Sequence, residues 1–315
     1  MNTIDVTQST PDGRGRSLRG VLGSALTPAA RAWIRYAPGT IGKHWLWQTF
    51  HWREREFACR TRYGGRMFGN TQDLIQRHIY FFGNWEPNIS AWITQTLKPG
   101  DGFIDVGANI GHYSLLASRL VGDTGRVVAI EAAPWIHAWL DRHVALNQCT
   151  NIRTVAVAAT AQRGVVKLYA GNPGNIGKTS TIARTGTCID VPALPLAEIL
   201  QNDECARARI IKIDVEGAEL QVLHGLVPLL PRLRDDVEII MEIAATPAPE
   251  SARMRDEIFA TMRAHGFSAF MFDNDYGVDT YLHPNQSKRP VKLEDERITA
   301  QTDVLFSRRT TAHCT

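Results

Sequence analysis

A chain of 315 residues with 44% hydrophobic content can bury one large core, or one core with a smaller companion, and is not disordered, collagenous or a disulfide scaffold. Its formal charge of +3 is close to neutral, and its apolar runs fall short of the roughly 20 residues that cross a bilayer. The five cysteines are odd in number and scattered, with no C-x-x-C pair or zinc spacing, so a reduced, cytoplasmic setting without a structural metal is expected.

Residues 1–27 are rich in Gly, Ser, Thr, Pro and Arg and read as a flexible tail. Early Asp5 and Asp12 and a short apolar patch, VLGSAL, argue against a signal peptide. Residues 28–60 read as helical, with breaks near Pro38-Gly39 and Gly42. RYGGRMFGN (62–70) reads as a short strand or hairpin, punctuated by Gly64-Gly65 and Gly69-Asn70. Residues 71–97 hold helical segments broken near Gly83 and Pro87. Residues 28–99 are thus expected to form a mainly helical cap, and 100–310 the main domain. The start of the chain is also basic: residues 1–77 carry 11 Arg and one Lys against five acids, a net of +7, leaving −4 for the rest. Trp33, Trp45, Trp47 and Trp52 fall in the same stretch, with Trp85 and Trp92 soon after. Such a segment suits an anionic membrane surface, or an anionic or sugar-bearing substrate. The plainer alternative is a solvated arginine face over packed tryptophans.

From residue 103 strands and helices alternate. Strands are expected at 103–106, 126–130, 152–157, 210–215 and 237–243, and helices at 111–121, 134–147, 217–231 and 250–265. This rhythm predicts an α/β fold with a parallel sheet covered on both faces. GVVKLYA and GTCIDVP read as two extra short strands around a Gly/Asn/Ser/Thr loop at 171–181. FSAFMF (267–272) and TDVLFSRR (302–309) read as a late and a last strand forming an antiparallel edge.

The chemistry gathers at the strand ends. In GFIDVGANIGHYSLL (102–116), Asp105 closes a strand and Gly107, Asn109 and Gly111 make the turn into a helix. Such a turn lets a ligand approach the backbone and the helix N-terminus. Glu131 ends the next strand, 20 residues after Gly111, where an acid can accept both ribose hydroxyls. Together they predict an adenosine-containing cofactor; a tight turn without a ligand is the alternative. Asn109 stands where a dinucleotide fingerprint has its second glycine, and Asp105 would repel a pyrophosphate. Both favour S-adenosylmethionine, with its ammonium, over NAD.

IIKIDVEGAELQVL (210–223) puts Asp214 and Glu216 at the same sheet edge, where paired acids are costly unless they bind something. Glu219 reads as an acid favoured by its helix N-terminus. Glu242 is a further candidate for the rim, and His112 and His224 are further candidate bases.

FIDVGANIGHYSLLA, VVAIEAAP and IIKIDVEGAELQVLHG together resemble the FkbM family of S-adenosylmethionine-dependent methyltransferases; FFGNWEP (81–87) and GNPGNIGKTST (171–181) resemble it more weakly. The resemblance implies a class I methyltransferase fold: a Rossmann-like, seven-stranded, mostly parallel sheet with an antiparallel last strand. It implies O-methyl transfer to a small-molecule acceptor, a sugar, glycolipid or polyketide-type natural product, rather than to nucleic acid. Carried over, Asp105, Gly107, Asn109 and Gly111 would line the methionine end of the cofactor and Glu131 its ribose. Asp214 and Glu216 would border the methyl and the acceptor. Two departures stand out. The family's Glu-Pro is here Glu131-Ala132-Ala133-Pro134, and its Leu-Asp is here Leu196-Ala197. An NAD(P)-dependent oxidoreductase and a non-catalytic binding module on the same fold are the competing readings.

Overall fold

A computed structural model describes residues 18–169, 188–244, 248–273, 276–283, 287–293, 298 and 300–309. Helix α1 (Leu18–Tyr36) starts inside the stretch read as tail. Its Gly, Ser and Arg content hides apolar residues at helical spacing, Leu18, Val21, Leu22 and Leu26. Helix α2 (Lys43–Phe50) follows, entered through left-handed Gly42. The helical reading then fails at Glu56–Arg60, which is strand β1, paired antiparallel with β2 (Arg66–Asn70). EFACR sends Phe57 inward between outward Glu56 and Ala58, a period of two rather than 3.6. Helices α3 (Leu74–Phe82) and α4 (Pro87–Thr96) complete the N-terminal unit. Asp73 caps α3 by accepting from the Gln76 N–H, and left-handed Gly83 ends it.

The alternating part supplies β3 (Gly102–Val106), α5 (His112–Val121), β4 (Arg126–Ile130), α6 (Pro134–Leu146) and β5 (Ile152–Val155). A side sheet of β6 (Ala158–Ala159), β7 (Gly164–Tyr169) and β8 (Cys188–Leu194) follows, and holds the two extra strands expected. The 171–181 loop between them lies outside the described residues. Then come α7 (Leu196–Ile199), α8 (Asn202–Arg207), β9 (Ala208–Ile213), α9 (Glu219–Leu226), a 3-10 turn at Val227–Arg232 and β10 (Glu238–Ile243). The chain continues through α10 (Pro249–Ala264), β11 (Ser268–Met271), α11 (Val278–Leu282), β12 (Val291–Lys292) and β13 (Thr302–Ser307).

The main sheet runs β12-β11-β13-β10-β9-β3-β4-β5. Strands β5, β4, β3, β9 and β10 are parallel neighbours, and β13 runs antiparallel to both β10 and β11. The last strand is therefore antiparallel as expected, and with β11 it makes the antiparallel side of the sheet, β13 itself lying between β10 and β11. The run Val304-Leu305-Phe306 explains this, since consecutive apolar residues are buried on both faces there. The seven-stranded sheet gains an eighth, two-residue strand, β12, at the rim. Helices α1 to α6 pack on one face; α7, α9 and α10 close the other. Helix α4 is tied to the sheet where Trp92 Nε1 donates to Glu238 Oε2 at 2.9 Å. Strand order reverses between β3 and β9, and in open α/β sheets the ligand crevice forms there, at the strands' carboxyl ends.

Candidate active site

The turn after β3 is built by backbone. Gly107 and Ala108 N–H groups both donate to the Ile130 carbonyl at 2.9 Å, and the Asp214 N–H donates to the Val106 carbonyl at 2.9 Å. Strands β4, β3 and β9 are thereby drawn together at one end. Gly107 has φ +83°, and a Cβ there would sit 1.7 Å from the Asp214 carbonyl oxygen, so only glycine fits. Asn109 takes a left-handed φ of 50°. Its N–H donates to Glu131 Oε2 at 2.9 Å, and its Oδ1 accepts from the Ile110 N–H at 2.7 Å. Glu131 Oε1 accepts from the Ala133 N–H at 2.9 Å. Ala133, one of the two residues between Glu131 and Pro134, thus helps to hold the acid.

A cavity of about 340 Å³ opens over this turn. Gly107, Asn109, Glu131, Asp214 and Glu216 all line it, with Ile130, Ile136 and Leu168 supplying apolar wall. Asp105 and Gly111 are not among its lining residues. Asp105 is buried behind the wall, where its Oδ2 accepts from Ser114 Oγ at 2.6 Å and its Oδ1 has no hydrogen-bond partner among the described residues. Gly111 caps α5 with φ +89°, and a Cβ there would press to 2.7 Å from Leu140 Cδ1.

Residues that the sequence reading passed over hold the charge balance. Lys212, buried on β9, places Nζ 2.7 Å from Asp214 Oδ2 and 5.0 Å from the centre of the Tyr113 ring. Burial opposes its charge, but Asp214, Glu86, Asp105 and Asp303 outweigh that and hold its pKa above the ordinary lysine value. Buried Glu86 accepts from Tyr113 Oη at 2.5 Å and Tyr276 Oη at 3.0 Å. Burial pushes the Glu86 carboxyl up, against the pull of Lys212. The signal for Lys212 was a lone lysine within the apolar strand IIKI, which a buried strand keeps only opposite carboxylates. Glu86 had only FFGNWEP to mark it.

Burial raises Asp105 to about 6 and Glu131 to about 7; Lys212 opposes the first shift and the two N–H donors oppose the second. Glu242 rises to about 10 through burial and the nearby charges of Asp214, Asp303 and Glu216. Gln301 Nε2 donates to its Oε1. His112 is lowered to about 3 by burial and then by Lys212, so its imidazole is neutral. Its Nε2 lies 3.2 Å from Asn84 Oδ1. His224 stands apart from the cavity, 2.9 Å from Glu257. Glu219 acts within the chain: Oε1 accepts from Gly217 N–H at 2.9 Å and Val215 N–H at 3.3 Å, clamping the turn that carries Glu216. Glu216 itself has a left-handed φ of 54°.

These residues fit S-adenosylmethionine. Each Glu131 oxygen accepts one backbone N–H and retains a lone pair for a ribose hydroxyl. The glycine turn leaves room for the chain of the methionine end, and the apolar wall suits an adenine.

Strand order and the internal antiparallel strand place the fold in the class I methyltransferases. Residues 105–269 match the methyltransferase FkbM domain, over half of the chain, and the chain belongs to that family. Its cofactor is S-adenosylmethionine. Methyltransferase sdnD of Sordaria araneosa is 29% identical over 160 residues, covering 41% of this chain and 61% of that protein. The 31-O-demethyl-FK506 methyltransferase FkbM of Streptomyces tacrolimicus is 25% identical over 223 residues, covering 61% of this chain and 82% of that protein. The structure of methyltransferase FkbM from Methylobacillus flagellatus overlaps 74% of this chain and 55% of its own, with 15% identity and a TM-score of 0.41. Family membership sets the oxidoreductase reading aside.

Proposed function

We propose that the protein transfers a methyl group to a hydroxyl of a sugar, glycolipid or polyketide-type natural product. The observation that carries this is the shared cavity: Asp214 and Glu216 line the same space as Asn109 and Glu131. The acceptor hydroxyl and the cofactor can therefore meet without a large motion. The name of the Streptomyces relative, a 31-O-demethyl-FK506 methyltransferase, points in the same direction.

S-adenosylmethionine, when bound, supplies an electrophilic methyl group on a sulfonium. In this reading Glu131 holds the ribose, while Gly107 and Asn109 shape the methionine end. Asp105 and Gly111 support the turn from behind. Asp214, fixed by Lys212, and Glu216, fixed through the Glu219 clamp, orient the acceptor hydroxyl and receive its proton. Alignment of two reactants can lower a barrier by roughly 7–11 kcal/mol, and a positioned base adds a typical ~10²–10⁴-fold. Cys59, Cys149, Cys188 and Cys205 are all free, which fits a cytoplasmic setting. An acceptor carried on a lipid would bring the basic, tryptophan-bearing N-terminal unit to a membrane surface.

The test is incubation of the protein and cofactor with a panel of hydroxyl-bearing glycans, glycolipids and polyketides, followed by mass spectrometry. A gain of one methyl on an acceptor, lost in Asp214→Asn, supports the reading. Methylation that survives both Asp214→Asn and Glu216→Gln would remove these acids from the mechanism.

A further inference from the structure

The large exposed apolar side chains concentrate in one short stretch. Trp33 is 53% exposed, Ile41 87%, Trp45 64% and Trp52 63%, and Leu26 and Tyr36 are exposed beside them. On α1, Leu26, Ala29, Trp33 and Tyr36 follow one helical stripe and all face outward, while Thr27, Ala30 and Ile34 face the core. Trp33 Nε1 donates to the Ile41 carbonyl at 3.1 Å, which joins the stripe to the loop before α2. In α2, Trp47 and Phe50 are buried while Trp45 points out.

Charge accompanies this apolar surface. Residues 18–77 carry nine Arg and one Lys against Glu54, Glu56 and Asp73, a net of +7. The Arg53 guanidinium lies 4.9 Å from the centre of the exposed Trp52 ring. Arg60 and Arg62 are exposed.

We infer that the outer face of α1 and α2, with the loop between them and the Trp52-Arg53 turn after α2, docks on an anionic lipid surface. Three observations select this occupant. Exposed indole and phenol rings, with Arg53 against that of Trp52, suit the headgroup layer, where one end of the ring is apolar and the other wet. The positive excess is confined to this unit while residues 78–315 carry a net −4, so an anionic surface both attracts the molecule and orients it. Two copies meeting through these faces would bring like charges together, which disfavours a second chain as the partner. Contact is peripheral: among the described residues no helix is long and apolar enough to cross a membrane. The inference does not depend on which acceptor is methylated.

The experiment is co-sedimentation of the full chain with vesicles of phosphatidylcholine alone, or of phosphatidylcholine with phosphatidylglycerol. The expected result is binding to the anionic vesicles only, weakened by salt. A Trp45→Ser/Trp52→Ser variant should bind about tenfold or more weakly, while S-adenosylhomocysteine still raises its unfolding temperature as in the parent. Failure to bind anionic vesicles, equal binding to neutral ones, or undiminished binding by the variant would overturn the inference. So would a concentration-dependent dimer that the two substitutions dissolve in the absence of vesicle binding. Loss of the S-adenosylhomocysteine shift in the double variant would mark a folding defect; Trp45→Tyr/Trp52→Tyr, which keeps the rings, must then restore both readouts, and an intact fold with no vesicle binding would refute the inference.

Discussion

Glu131 binds two backbone N–H groups and sits in a wall that raises its pKa to about 7. Ribose hydroxyls donate to its charged form, so cofactor binding should expel a proton when it is protonated. Affinity for S-adenosylhomocysteine should therefore rise with pH through about 7 and level off above it. In the free protein the sign reverses. Because the folded pKa is raised above the ordinary glutamate value, the stability from this group is full below that value and is lost as pH rises through about 7. Calorimetric titration across this range checks the first trend, and Glu131→Gln should flatten it. Glu131→Ala should weaken binding by about 10²-fold or more, since charge-assisted hydrogen bonds are worth about 1.5–3 kcal/mol each. Asp214→Asn should leave binding nearly intact and cut turnover by about 10²–10⁴-fold, measured as single-turnover methyl transfer. Lys212→Met would leave Asp214, Glu86, Asp105 and Asp303 without their buried cation. Denaturant unfolding should then show a loss of about 3–5 kcal/mol.

At the scale of elements, the tightest constraint is the junction of β3 and β9. Gly107→Ala would drive a methyl into the Asp214 carbonyl at a positive φ. The substitution should destabilise the fold by about 3–5 kcal/mol and abolish cofactor binding, read by denaturant unfolding and calorimetry respectively. Parallel strands were the most legible elements because both their faces are buried, so Phe103-Ile104, VVAI (127–130) and IIM (239–241) stand out as consecutive apolar residues. The short hairpin strand EFACR did not stand out, because a five-residue alternation between helices resembles one turn of an amphipathic helix. The place of β13 was equally hidden: TDVLFS shows that a strand is buried, but strand order is set by contacts far apart in sequence.

Across the whole molecule, the acids that line the cavity were readable from their positions after strands, since the fold puts every such position at one edge. The sequence could not show that Asp105 faces the interior, bonds Ser114 and feels the charge of Lys212, because burial behind a turn depends on packing from α5 and β9. Glu86 comes from the N-terminal unit and meets Tyr113 of α5 and Tyr276 of the late loop, a convergence with no sequence spacing at all. The N-terminal unit also reaches the cavity itself, which Ile75 and Trp85 help to line. The proposed function is methyl transfer to an acceptor oxygen beside Asp214 and Glu216. It is tested most directly by supplying S-adenosylmethionine with a carbon-13-labelled methyl to the protein and the acceptor panel, then reading the product by nuclear magnetic resonance. The expected product carries a labelled methyl at the chemical shift of a carbon bound to oxygen, absent with Asp214→Asn. A labelled methyl bound to nitrogen or carbon would contradict it.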